Sequence, residues 1–238
     1  MTKEEDEKNN KKFLPLLLLL LGFVMIGGVS LAFFSDIMTG SANITAGTLD
    51  LQPADGSTTP FTFYLDADKD GVADDDEALT GLSVANFNPG DCVIAKGSAQ
   101  NVGNKSAYVR STVKLGTGTN NFPAGAVKVM AGAKTLNNVI TSGTDIASMP
   151  TTGVQRDTVV INGTGTNAET EEDAISNVYG DEAFTICFDP EATNEAQAKI
   201  ANLDFRVEAV QYRNNNGTGD AADWSDAEVM TTEFNLGA

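Results

Sequence analysis

Ten short runs in which apolar and polar residues alternate, separated by Gly, Asn, Asp or Pro, constrain this chain more than any other feature. A period of two places one set of side chains on each face of a strand, whereas a helix needs a period of 3.6. The alternation predicts strands over 47–52, 61–65, 82–87, 92–101, 106–115, 126–132, 157–162, 183–188, 204–212 and 228–236. In 106–115, Ala107, Val109, Ser111, Val113 and Leu115 share a face. In 204–212, Phe205, Val207 and Ala209 alternate with Arg206 and Glu208. Many half-apolar strands of this kind predict an all-β fold, an antiparallel β-sandwich of jelly-roll-like form with both inner faces buried.

Two stretches break the pattern and read as short crossover helices. Residues 167–180 begin with acids and end at Gly180, and 189–203 begin with Asp189-Pro190, a cap followed by Pro in the first turn. No repeat or long linker divides the region, so 47–238 reads as one domain.

The chemistry open to the chain is narrow. It has no histidine, so a Ser-His-Asp triad, a Cys-His pair, a His-based zinc site and a His proton shuttle are excluded. No phosphate-binding Gly-rich loop occurs in a strand-to-helix setting. A formal charge of −18 repels phosphate backbones and anionic lipid, so no nucleic-acid partner is expected, while divalent cations are favoured. No enzyme constellation emerges.

The first 32 residues read as an export signal: a charged start with lysines at its end, then 22 nearly unbroken apolar residues from Phe13 to Phe34. Cleavage after Ala32, at the small-x-small triplet Ser30-Leu31-Ala32, involves a signal peptidase. The same run is long enough to remain as an N-terminal hydrophobic helix anchored in a bilayer. In both cases the remainder lies outside the cytoplasm, secreted or at the cell surface. Cys92 and Cys187, the only cysteines, read in an oxidising compartment as a disulfide; the alternative is two buried thiols.

Between the second and third runs stands Asp66-Ala-Asp-Lys-Asp-Gly-Val-Ala-Asp-Asp-Asp-Glu77. It fits the twelve-residue calcium loop D-x-[DN]-x-[DN]-G-x5-E in full. Asp66, Asp68 and Asp70 would face a hard cation, Gly71 would allow the sharp turn, and the Val72 carbonyl, Asp74 and a bidentate Glu77 would complete the oxygens of a Ca²⁺ site. The bland alternative is a solvated acidic hairpin tip. The run entering the loop is strand-like and no second loop exists, which argues against a paired sensor of the helix-loop-helix kind.

Cleavage after Ala32 would free an oily leader. Phe33, Phe34, Ile37, Met38 and Ile44 make 33–46 too apolar for an exposed tail. It must be buried either as an edge strand of its own sandwich or as a donor strand in a neighbouring copy. The stretch LAFFSDIMTGSANITAGTLDLQ (31–52), the Asn88-Pro-Gly-Asp91 turn before strand 92–101, the Asn101-x-Gly103 element and, more weakly, FRVEAVQY (205–212) resemble the TasA/camelysin family of secreted proteins, which includes biofilm-matrix fibre subunits. The resemblance implies a jelly-roll domain whose freed N-terminal segment docks in the next subunit. It further implies a head-to-tail homopolymer, with Phe33, Phe34, Ile37 and Met38 as anchors. It does not extend to the acidic loop or the two helical stretches. The expectation is a non-catalytic, calcium-stabilised fibre subunit for biofilm matrix or surface attachment. The alternative is a monomeric, membrane-tethered calcium-binding module or adhesin.

Overall fold

A computed structural model describes residues 47–237 apart from 55, 165, 166, 214 and 216, so the leader and the donor-strand anchors Phe33, Phe34, Ile37, Met38 and Ile44 lie outside the described residues. Residues Gly47–Ala238 form a compact unit of their own. Among the described residues no helix is long and apolar enough to cross a membrane.

The strands are β1 (Leu51–Pro53), β2 (Phe61–Asp66), β3 (Ser83–Val84), β4 (Cys92–Asn101), β5 (Ala107–Asn120), β6 (Val127–Ala131), β7 (Thr144–Asp145), β8 (Val154–Gln155), β9 (Val159–Ile161), β10 (Val178–Phe188), β11 (Ala201–Gln211) and β12 (Glu228–Leu236). They form two six-stranded sheets. The first has the order β1-β4-β10-β6-β7 and the second β3-β12-β11-β5-β8. β2 lies beside β1 along the same edge of β4, with Phe61–Asp66 opposite Cys92–Gly97 and Leu51–Pro53 opposite Ala99–Asn101. β9 likewise continues the edge that β8 begins on β5. From β4 to β11 the longer strands alternate between the sheets, which produces the all-β sandwich that the alternating pattern predicts.

The core is the inner face of both sheets. Phe61 and Phe63 of β2, Val93 and Ala95 of β4 and Phe184 and Ile186 of β10 pack against Val109, Val113, Leu203, Phe205, Val207, Phe234 and Leu236. Phe205 is the centre of an aromatic group, with ring centroids 5.0 Å from Phe63, 5.5 Å from Phe61 and 5.9 Å from Phe184. Phe63 stacks on Phe234 at 3.9 Å and so joins the two sheets. A fully buried polar pair, Ser111 Oγ and Tyr179 OH at 2.8 Å, crosses the same space. Gly97 makes room for that tyrosine, since a Cβ there would stand 2.6 Å from the ring.

The Asn88–Asp91 segment forms the turn expected of it. Pro89 precedes Gly90 at φ +92°, and the Asp91 N–H donates to the Asn88 carbonyl at 2.9 Å, a type II arrangement in which glycine is the residue suited to positive φ. The Asn101-x-Gly103 element also has a physical role. Buried Asn101 donates through Nδ2 to the carbonyls of Lys105 and Asn162, and accepts through Oδ1 from the Gly103 N–H.

Both predicted helices are corrected by the structure. Across 167–180 the backbone is used by neighbours: the Glu169 N–H donates to Asn104 O and the Glu171 N–H to Asn162 Oδ1. The acids read as a helix start instead pair with Lys105 at 2.6 Å and Arg213 at 2.9 Å, and Val178 opens β10. Across 189–203 only one 3-10 turn, Asn194–Ala196, forms before Ala201 pairs with Leu236 in the ladder. The α-helix among the described residues is α1 (Leu136–Ser142), which carries the β-branched Val139, Ile140 and Thr141 and has no side-chain cap. Propensity does not make it; docking of Val139 against Cys92 and Cys187 does.

Phe205→Ala would empty the aromatic centre and is expected to cost about 3–5 kcal/mol, read as a shifted denaturant midpoint with an unchanged slope.

Candidate metal centre

Alternation along β2 turns Phe61 and Phe63 inward and leaves Asp66 on the outer face of the first sheet, opposite Cys92. Cys92 is in turn directly opposite Cys187 on β10, and the two form a buried disulfide with Cα atoms 4.1 Å apart. α1 covers the pair through Val139, with Met130, Leu136 and Ile140 around it. The acidic loop therefore starts from a strand position one residue pair away from a covalent staple. That neighbourhood was invisible to sequence reasoning, although the period of β2 does give the side of the sheet.

Gly71 is required at its position for two reasons. Its φ is +84°, and a Cβ would stand 2.6 Å from the Lys134 carbonyl carbon. The segment pressing on it is itself held to β10: the Lys134 N–H donates to Thr185 Oγ1 at 3.1 Å, and that hydroxyl donates to Gly132 O at 2.9 Å. Lys69 also has positive φ, +65°.

Within the loop, backbone N–H groups aim the carboxylates. Asp66 Oδ2 accepts from Gly71 at 3.1 Å, Asp68 Oδ1 from Asp70 at 3.2 Å, Asp70 Oδ1 from Val72 at 2.7 Å and Glu77 Oε1 from Ala67 at 2.9 Å. One oxygen from each of Asp66, Asp68 and Asp70 falls within 4.8 Å of the others. Asp66 is 1 % exposed, and its Oδ1 has no partner; neither has the buried Glu77 Oε2. Two buried carboxylate oxygens without a donor are costly unless a cation meets them.

Electrostatics agree with the geometry. Burial pushes the Asp66 carboxyl up to about 6, against donation from the Gly71 and Lys69 backbones, and Asp70 and Asp68 add to the rise. Asp74 is also raised, by desolvation and then by the charges of Asp70, Asp68, Asp76 and Asp75. Of the six residues expected as ligands, the structure gathers Asp66, Asp68 and Asp70. It holds Glu77 against the first turn of the loop, sets Asp74 at the start of the 3-10 turn Asp75–Glu77, and leaves the Val72 side chain exposed, as suits a residue that would offer only its carbonyl. An oxygen-only set of this kind fits a hard divalent cation of the size of Ca²⁺.

Comparison with models of known families, with curated proteins and with solved structures finds no match for this chain.

In metal-free protein, Asp66 holds a proton between its ordinary range and about 6 that the unfolded chain does not hold, so its contribution to stability falls as pH rises through that window. Asp66→Asn is therefore expected to melt above wild type in chelator at pH 7, with the gap closing toward pH 4. Thermal melts of both proteins across that range check it.

Proposed function

We propose that this chain is an exported, non-catalytic structural subunit. Its 33–46 segment adds as a strand to the next copy, and its 66–77 loop is braced by Ca²⁺. The observation that carries the reading is an open sheet edge. β12 is paired with β11 on one side, and among the described residues its one other strand pairing is with β3, at Asn235 and Leu236. From Glu228 to Glu233 no second strand pairs with β12 among the described residues. An open run of backbone donors and acceptors is a template for strand addition, which folded proteins usually hide.

The position of this edge also fits. The Leu51 N–H, just after the point where the 33–46 segment joins the domain, donates to Glu228 Oε1 at 3.1 Å. Donation of a segment from one copy to the edge of another uses two different surfaces. Such a head-to-tail contact propagates into a fibre. The apolar run Phe13–Phe34 and the disulfide are the features that support export, since disulfides persist in oxidising compartments.

A chain lacking residues 33–44 is expected to stay folded and to remain monomeric, and Ile37→Asp is expected to behave alike because the acid would be buried unpaired. Electron microscopy and light scattering of the processed protein check both. Normal threads from the shortened chain would remove strand donation. A native N-terminus upstream of Phe33, with solitary particles, would favour the tethered monomer. For the loop, Ca²⁺ is expected to raise the melting temperature and Mg²⁺ to do so far less, since Mg²⁺ demands a tighter octahedron and sheds water reluctantly. Equal melts in Ca²⁺ and chelator would remove the metal.

A further inference from the structure

The metal loop does not end in solvent. One residue after Glu77, Ala78 bridges to Tyr64, and the Leu79 N–H donates to Phe63 O at 2.8 Å, so the chain returns along the outer edge of β2. Leu79 packs against the core. The strap then crosses to the second sheet. Leu82 O accepts from the Asn235 N–H at 3.0 Å, and β3 follows at once, parallel to the end of β12. Residues 78–82 thus join the edge of one sheet to the edge of the other, and they stop where the open part of β12 starts.

The strap also walls a cleft. A depression of about 260 Å³ is lined by Thr59, Phe61, Phe63, Leu79 and Leu82, and Leu82 is 41 % exposed. One wall is β2, which carries Asp66 at its end; the other is the strap, which starts beside Glu77. Asp66 and Glu77, each with a buried oxygen that lacks a hydrogen-bond partner, mark the two arms of a single hairpin beside the cleft.

We infer that a divalent cation at Asp66, Asp68, Asp70 and Glu77 fixes the Ala78–Leu82 strap, and that this strap and the adjoining open edge of β12 form the surface on which a second copy of the chain docks. The cation pulls Glu77 toward the end of β2 and sets where the strap leaves it. With the loop empty, mutual repulsion of its carboxylates is relieved by loosening this arm, because Gly71 and the β2 end are held by Lys134 and the ladder. Assembly is then linked to cation binding, and by reciprocity assembly tightens the cation site. The inference rests on the strand-addition reading above.

The experiment follows polymerisation of the processed full chain at several concentrations in Ca²⁺, in Mg²⁺ and in chelator, with Ca²⁺ uptake measured by calorimetry and folding by circular dichroism. Three proteins serve: wild type, Asp70→Ala and Leu82→Asp. The critical concentration of wild type is expected to rise about tenfold or more in chelator. Asp70→Ala, altered at an exposed loop position and left with no side-chain oxygen for the cation, is expected to show the same rise in Ca²⁺ while remaining folded. Leu82→Asp is expected to take up Ca²⁺ normally and polymerise poorly. Ca²⁺ uptake with an unchanged critical concentration overturns the coupling and leaves strand addition standing. No Ca²⁺ uptake overturns it at the cation. Solitary particles in every condition, with uptake intact, overturn the strand-addition reading and this inference with it.

Discussion

The pairing of β4 with β10 is the constraint on which the rest of the molecule depends. These strands are the centre of the first sheet, and Cys92 opposite Cys187 locks them at one register. A slip of β10 by one residue against β4 would turn Phe184 and Ile186 out of the core. Standing 95 positions apart in the sequence, the cysteines restrict the unfolded chain by about 4–5 kcal/mol in the loop-entropy account. The same register sets the outer face. It places the disulfide under α1, Thr185 under Lys134, and Cys92 beside Asp66. Core, helix and acidic loop are consequences of one strand pair.

This anchoring separates the loop from the helix-flanked sites that share its residue pattern. There, a cation reorients two helices. Here, the first aspartate of the loop ends a ladder strand that is paired with β4 along six residues. Only the second arm, from Glu77 onward, is free of a long ladder. The two arms of the loop are thus held unequally, the first by a six-residue ladder and the second by an isolated bridge and single hydrogen bonds. The carboxyl of Asp66 is raised by burial before its acidic neighbours contribute, so a cation bound there would have to displace a proton from a pocket formed by the fold itself.

Much of this was legible in the sequence because alternation is a direct record of burial. Strands 92–101 and 228–236 are found with the bounds read for them, and the Asn88–Asp91 turn follows from Pro before Gly. The converging aspartates follow from the loop spacing. The failures have a common cause. In 167–180 the acids are a helix signal only if nothing distant claims them, and Lys105 and Arg213 do. α1 has poor local credentials and exists because the disulfide offers Val139 a dry surface. Local propensity cannot report partners that topology supplies, and the same limit hid the route of the strap from the acidic loop to β12.

The charge balance bears on how copies of such a chain can meet. With 33 acidic and 15 basic residues, broad faces of two copies repel at low salt. A docking element must therefore be thin, apolar and nearly uncharged. Residues 33–46 contain one acid, Asp36, and no base. The open edge of β12 from Glu228 to Glu233 spans six residues, about 20 Å at the rise of a strand. Fourteen residues are enough to pair along it and still leave a connection to Gly47. Extension of a sheet by one donated strand would keep the acidic surfaces of neighbours apart while main-chain hydrogen bonds carry the contact. Repulsion elsewhere then works in favour of order, since it disfavours every contact except the one made through the edge.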